Sequence, residues 1–180
     1  TNARLERGVL RATRTRSLGA IPLSSTPAKA LDPEEATALV AQHLAARGLG
    51  ELGWGKEASS LRERLRALHE ALGDPWPDVS DEALAGSAEQ WLAPWGRRLA
   101  SGSPLSQVSM LEVLRAMLPW PQAARLDELA PEKLPIPSGG TRPIDWSGAH
   151  PVLTLRVQQA FGWTDTPRLL DGRVPLVLHL

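Results

Sequence analysis

The chain has 180 residues, with twenty basic and twenty acidic side chains, so no global field selects a nucleic acid or a membrane surface. The absence of cysteine excludes disulfides and thiolate metal sites and fits a reducing compartment, while 42% apolar content suits a packed core. No apolar run reaches the ~18 residues of a membrane-spanning helix and no charged-then-apolar leader opens the chain, so a cytoplasmic location is expected rather than secretion or membrane insertion.

Thr1-Asn2-Ala3 reads as a vector-like leader and is set aside. Residues 4–24 alternate as strands do, with a small-residue break at Gly19. Arg4, Arg7, Arg11, Arg14 and Arg16 against Glu6 bring residues 1–18 to a formal +4. Ser24 to Ala30 is a polar, Pro-containing linker. Asp32-Pro33-Glu34-Glu35 then starts a helix: Asp32 can accept orphan amides, Pro33 suits the first helical position, and Glu35 completes a capping box. Ala36, Leu39, Val40 and Leu44 share one face, and Gly48 ends it. A second helix, about Lys56 to Leu72, carries Leu61, Leu65, Leu68 and Leu72 on its stripe, with Arg62, Glu63, Arg66 and Glu70 off it. Asp74-Pro75-Trp76-Pro77-Asp78 forces a rigid turn. Ser80 caps a third helix running to about Leu92, with Leu84, Ala88 and Trp91 inward. Ser109-x-x-Glu112 opens a fourth, and Gln122 to Leu129 forms a fifth.

The period then changes. Lys133–Pro137 and Arg142–Trp146 flank Ser138-Gly139-Gly140-Thr141 as a hairpin confined by its prolines to an edge. Val152 to Val157 alternates as a strand, with a helical turn over Gln158 to Phe161. Leu169-Leu170-Asp171-Gly172-Arg173-Val174 is a hairpin signal, because Asp-Gly favours the primed turn of twisted strands. The fold class is α+β, with N-terminal strands, a central block of about five helices and C-terminal β-hairpins. The corresponding segments are residues 1–30, 31–131 and 132–180. The apolar run Val174–Leu180 stops without a polar exit, from which a longer parent protein is expected.

Chemistry is sparse. Gly50-Glu51-Leu52-Gly53-Trp54-Gly55-Lys56 fits the first seven positions of a phosphate loop, but Glu57 stands where a Mg²⁺-holding hydroxyl is required, and the motif follows a helix rather than a strand. A glycine-rich helix connection accounts for it. His43, His69, His150 and His179 have no metal-ligand spacing, and capping or half-buried roles suit His43 and His69. No serine sits in a nucleophile-elbow context. The acids at Asp78–Glu82 and Asp127-Glu128 read as helix-start charges. Of seven Trp, Trp91 reads as core, and Trp54, Trp76, Trp95 and Trp120 as plugs between elements, with base stacking as the alternative. Arg7, Arg11, Arg14 and Arg16 offer either an anion-binding surface or solvated charge on an edge strand.

Several stretches resemble the C-terminal region of HrpB-type ATP-dependent helicases, bacterial members of the DEAH-box group. They are Arg14 to Leu23, Gly48-Leu49 with Leu52-Gly53-Trp54, Trp76 to Asp81, Trp91-Leu92-Ala93-Pro94, and Leu126-Asp127-Glu128-Leu129-Ala130-Pro131. Ile136 to Gly140, Ile144-Asp145-Trp146, Pro151 to Gly162 and Gly172 to Leu180 follow in order. Trp146 replaces an expected Tyr and Gln159 an expected Glu.

The resemblance implies that residues 1–30 close an oligonucleotide-binding-like (OB-fold) barrel. It also implies an accessory region of an RNA helicase whose ATP and Mg²⁺ are bound by RecA-like motor domains elsewhere in the parent. No catalytic, cofactor-binding or metal-binding residue carries over to these 180 residues. The expected partners are those motor domains and single-stranded RNA. Arg11, Arg14 and Arg16 are the candidate contacts, with the loop Ser138, Gly139, Gly140, Thr141 and Arg142, whose glycines admit close backbone approach. The alternatives are an ordinary hairpin turn at that loop and a protein-docking role for the region.

Overall fold

The computed structural model describes the backbone of residues 2–18, 21–27 and 31–180, and the side chains of 3–13 and 31–180. It divides into two compact units, each built from two stretches of sequence: 1–55 with 80–113, and 56–79 with 114–180.

In the first unit, β1 (Asn2–Glu6), β2 (Val9–Leu18) and β3 (Ile21–Pro27) form an antiparallel sheet in that order. The strand pattern expected over 4–24 is therefore interrupted first at Arg7-Gly8. Both residues have positive φ (51° and 73°), the geometry of a primed hairpin turn. Leu10 is buried while its neighbour Arg11 is exposed, so the alternation has one inner face here. Gly8 O accepts from Leu105 N at 2.8 Å, which anchors the turn to the unit.

Helix α1 (Pro33–Arg47) begins where expected, with Asp32 accepting from Glu34 N at 3.1 Å and Pro33 in the first turn, while Glu35, expected to complete a capping box, is exposed with no such bond among the described residues. Ala36, Val40 and Leu44 are buried, and Gly48 donates to Leu44 O at 2.8 Å. Leu39 of the expected face is only half-buried. The single helix expected over 80–92 is two, α3 (Asp81–Gly86) and α4 (Ala88–Leu92). Gly86 weakens the helix there, and the Ser87 hydroxyl bonds back to Ala83 O at 2.9 Å. After a 3₁₀ turn (Ala93–Trp95) comes an additional helix, α5 (Gly96–Ala100). Its first residue is Gly96. In the fold it is a contact glycine, where a Cβ would lie 3.0 Å from Pro33 O and 3.2 Å from Thr37 Cγ2, so α5 seats directly on α1.

The glycine-rich connection after α1 is likewise structural. Gly53 N donates to Val108 O at 3.0 Å, Met110 N donates to Gly53 O at 3.3 Å, and a Cβ at Gly53 would fall 2.5 Å from Val108 O. Helix α6 (Met110–Ala116) is capped by Ser109 Oγ as the sequence indicates.

In the second unit, α2 (Lys56–Leu72) buries Ala58, Leu61, Leu65 and Leu68, and with them Arg64. Gly73, at φ 66°, ends the helix by donating to His69 O, and His69 Nδ1 meets Trp76 O at 2.7 Å over buried Trp76. Helix α7 (Trp120–Leu129) places Asp127-Glu128 in its last turn, not at a helix start. The macrodipole disfavours acids there, and Arg64 supplies the compensating charge to Asp127. Trp120, expected to plug a seam, is 81% exposed at the helix start. Trp91 is half-buried rather than core, its Nε1 donating to Leu84 O in the first unit.

Strands β4 (Lys133–Pro135) and β5 (Thr141–Asp145) make the expected hairpin, and β6 (Val152–Thr154) adds antiparallel to β5. The strand expected to reach Val157 stops early, and Val157–Ala160 is a 3₁₀ turn. β7 (Arg168–Leu169) and β8 (Val174–Pro175) pair across Asp171-Gly172, whose φ values of 60° and 74° give the primed turn, closed by Arg173 N on Leu170 O. The last strand, β9 (Val177–His179), does not belong to a hairpin. It joins β6 in parallel, giving the order β4-β5-β6-β9.

Four consecutive carbonyls at the end of α7 tie this unit together. Leu129 O accepts from Leu170 N (3.0 Å), Ala130 O from Arg64 Nε (2.6 Å), Pro131 O from Trp146 Nε1 (2.9 Å) and Glu132 O from Ile144 N (2.9 Å). Arg64, 4% exposed, also donates to Asp127 (2.5 Å) and Glu132 (3.3 Å). Arg64→Ala should lower unfolding stability by about 2–4 kcal/mol in urea melts, because a buried carbonyl loses its donor and the stem leaves a void. Asp127→Ala, removing a carboxylate that is 89% exposed and leaving Arg64 its Ala130 carbonyl and Glu132, should cost less than Arg64→Ala.

Candidate nucleic-acid interface

The residues that the sequence nominates fall in both units, and each set is described within its own. In the first unit, the β1–β2 register places Arg4 directly opposite Arg11. Two guanidinium groups facing each other across a ladder repel unless an anion joins them. Glu6 reaches Arg4 at 3.7 Å, and among the described residues no carboxylate pairs with exposed Arg11. Arg7 stands exposed at the turn. Arg14 and Arg16 lie further along β2, opposite Thr26 and Ser24, and their side chains are outside the described residues.

Sequence reasoning did not see how this turn is bounded. Glu51, whose Oε1 is 3.0 Å from His43 Nε2, lies so close that a Cβ on Gly8 would meet its Oε2 at 3.1 Å. A carboxylate and an imidazole therefore border the basic hairpin. No local pattern announced a neighbour more than forty positions away.

In the second unit, Ser138, Gly139, Gly140, Thr141 and Arg142 are all exposed. Gly139 N donates to Ile136 O at 3.0 Å, and Ile136 N to Gly140 O at 3.2 Å, which closes the loop tightly. Gly139 (φ 95°) and Gly140 (φ 81°) occupy backbone conformations that other residues rarely adopt, and nothing lies within 4 Å of a Cβ at either. The open space admits a close-approaching backbone or phosphate, and Arg142, opposite Leu134 on β4, has no carboxylate partner among the described residues. The acid on the same strand, Asp145, is turned to its own use: its Oδ1 accepts from the Ser147 hydroxyl (2.6 Å) and amide (2.9 Å). These donors hold its carboxyl below the ordinary value, the hydroxyl contributing more than the amide.

Arg66, which the sequence places off the apolar stripe, is a structural clamp, donating to Glu70 and to the carbonyls of Trp146 (2.8 Å) and Gly148 (2.7 Å). Beside it lies a shallow, mainly apolar cavity of about 220 Å³, lined by Ala67, Glu70, Trp146, His150, Leu170 and Arg173 among others. None of the nominated residues lines it. Among the described residues no group of three or more His, Asp or Glu could hold a metal ion, and no helix is long and apolar enough to cross a membrane.

Comparison with known proteins shows which proteins this chain is similar to. A family model described as ATP-dependent helicase C-terminal matches residues 91–180. The ATP-dependent RNA helicase HrpB of Escherichia coli (strain K12) is 32% identical over 175 residues, which cover 96% of this chain and 22% of that protein. The crystal structure of the E. coli DEAH/RHA helicase HrpB superposes with a TM-score of 0.72 at 31% identity, covering 95% of this chain and 22% of that one. A crystal structure of the E. coli DExH-box NTPase HrpB gives 0.69 at 32% identity, covering 94% and 21%. The chain thus spans about a fifth of the length of the relatives it matches.

The depressed Asp145 carboxyl fixes the sign of a pH effect. Its contribution to stability is complete above the unfolded carboxylate value and is lost as pH falls through the lower folded value. Titration of the Asp145 carboxyl by NMR should show a midpoint below that of an unperturbed aspartate, and Ser147→Ala should move it upward.

Proposed function

This chain belongs to the HrpB-type ATP-dependent helicase C-terminal family, and on that footing we propose that it is a non-catalytic accessory region that holds single-stranded RNA for its parent. ATP hydrolysis, with its Mg²⁺, belongs in this reading to RecA-like motor domains of the full-length protein, and β1–β3 to the end of an OB-like barrel. The cell compartment consistent with such a substrate is the cytoplasm.

The observation that carries the reading is the Arg4–Arg11 cross-strand pair. Opposed guanidinium groups, with Glu6 on Arg4 and Glu51 at the turn beyond them, are stabilised by a polyanion, because each phosphate brought between them relieves repulsion and releases counterions. Arg14 and Arg16 extend the same strand, and the Ser138–Arg142 loop supplies a second phosphate contact in its own unit. These contacts position the strand without reading sequence.

A second reading, docking on the motor or another protein, has its own support in Trp120. A ring 81% exposed at the start of α7, held between Pro119 and Pro121, is the kind of rigid aromatic anchor found at the centre of protein interfaces.

Anisotropy of a fluorescein-labelled single-stranded RNA with the full-length protein, measured over a salt series, separates the two. Arg11→Ala and Arg142→Ala should each weaken binding and reduce the slope of log K against log salt by about 0.7. Unchanged affinity and slope in both variants would remove the RNA reading.

A further inference from the structure

We propose that Phe161 is a base-stacking platform serving the Ser138–Arg142 loop; the proposal deepens the single-stranded RNA reading and rests on it. Phe161 is the chain's one phenylalanine and is 68% exposed. Its backbone (φ −62°, ψ 123°), followed by Gly162 at φ 113° and closed by Trp163 N on Ala160 O at 3.2 Å, makes the corner of a type II turn. That corner presents the ring to solvent.

The turn is held against the glycine loop. A Cβ on Gly162 would lie 2.9 Å from Cβ of Pro137, the residue that leads into Ser138, so only glycine permits this approach. The ring therefore stands one residue from the contact with the base of the loop, on an element fixed by a turn at one end and by the Arg156–Gln159 cap at the other. An exposed aromatic beside an open backbone loop matches the two parts of a nucleotide: a π face for the base, and amide and guanidinium donors for the phosphate.

The surrounding charge agrees. Over residues 132–165 Lys133, Arg142 and Arg156 stand against Glu132, Asp145 and Asp165, but Glu132 is paired with Arg64 and Asp145 is bonded to Ser147, which leaves Asp165 as the acid of the three without a partner among the described residues. The cations Arg142 and Arg156 are without a carboxylate partner among the described residues, and a phosphate chain can supply one. Val157, 49% exposed on the preceding turn, adds apolar surface on which a neighbouring ribose or base can rest.

The test uses full-length protein, a fluorescein-labelled single-stranded oligoadenylate and its abasic counterpart of equal length. Phe161→Ala should weaken oligoadenylate binding roughly fivefold or more and leave the abasic strand and the salt slope unchanged, and Phe161→Trp should retain affinity. If Phe161→Ala binds oligoadenylate like the parent while Arg142→Ala is weakened, the stacking role is wrong and the RNA reading stands. Equal losses on both strands would also overturn stacking, since only one strand has bases. No binding of either strand by the unaltered protein would overturn both.

Discussion

The second unit depends on one buried cation. A guanidinium removed from water is tolerated only when its donors are matched, and Arg64 meets that demand with one backbone carbonyl and two carboxylates from the stretch 127–132. The match works in both directions. Carbonyls at the end of α7 have no partner within their helix, and a helix end buried without partners is unstable. Donors from α2, β5, the residue after β5 and the segment after β7 converge on the four carbonyls of 129–132, so the irregular exit of α7 becomes the point where this unit's helices and strands are registered. Trp146 takes part through its indole N–H. A Tyr hydroxyl, the residue expected at that position, would present its donor from a ring of different shape.

The elements that sequence reveals are those whose signals are local. Asp32-Pro33, Ser109-x-x-Glu112 and Asp171-Gly172 act through neighbours two to four residues away, and all three appear as read. Features set by distant contacts were not legible. The close approaches at Gly96 and Gly53, which make room for Pro33 and Val108, leave no local pattern. The Arg7-Gly8 turn was hidden because arginine rarely takes positive φ, and it is held by a carbonyl bond to Leu105. The parallel pairing of β9 with β6 depends on a crossover that no alternation pattern encodes.

The candidate interface was legible for a similar reason and to a similar extent. Exposed charge follows from composition, so Arg11 and Arg142 were found, together with the glycines that leave the loop open. Chemical type alone did not separate them from Arg64 and Arg66, which are spent on carbonyls of their own chain. Phe161 carries no charge and sits in a short turn, and only the close approach of Gly162 to Pro137 connects it with the loop.

Arg64 also has a consequence for the order in which the chain is made. Its carbonyl partner lies 66 positions later, so α2 leaves the ribosome long before the stretch 127–132 exists. Leu61, Leu65 and Leu68 would then form an adhesive ridge on a nascent peptide. A hydrated cation in the middle of that ridge opposes its association with other apolar surfaces, as gatekeeper charges do, and in the finished fold the same cation is buried on the downstream carbonyl.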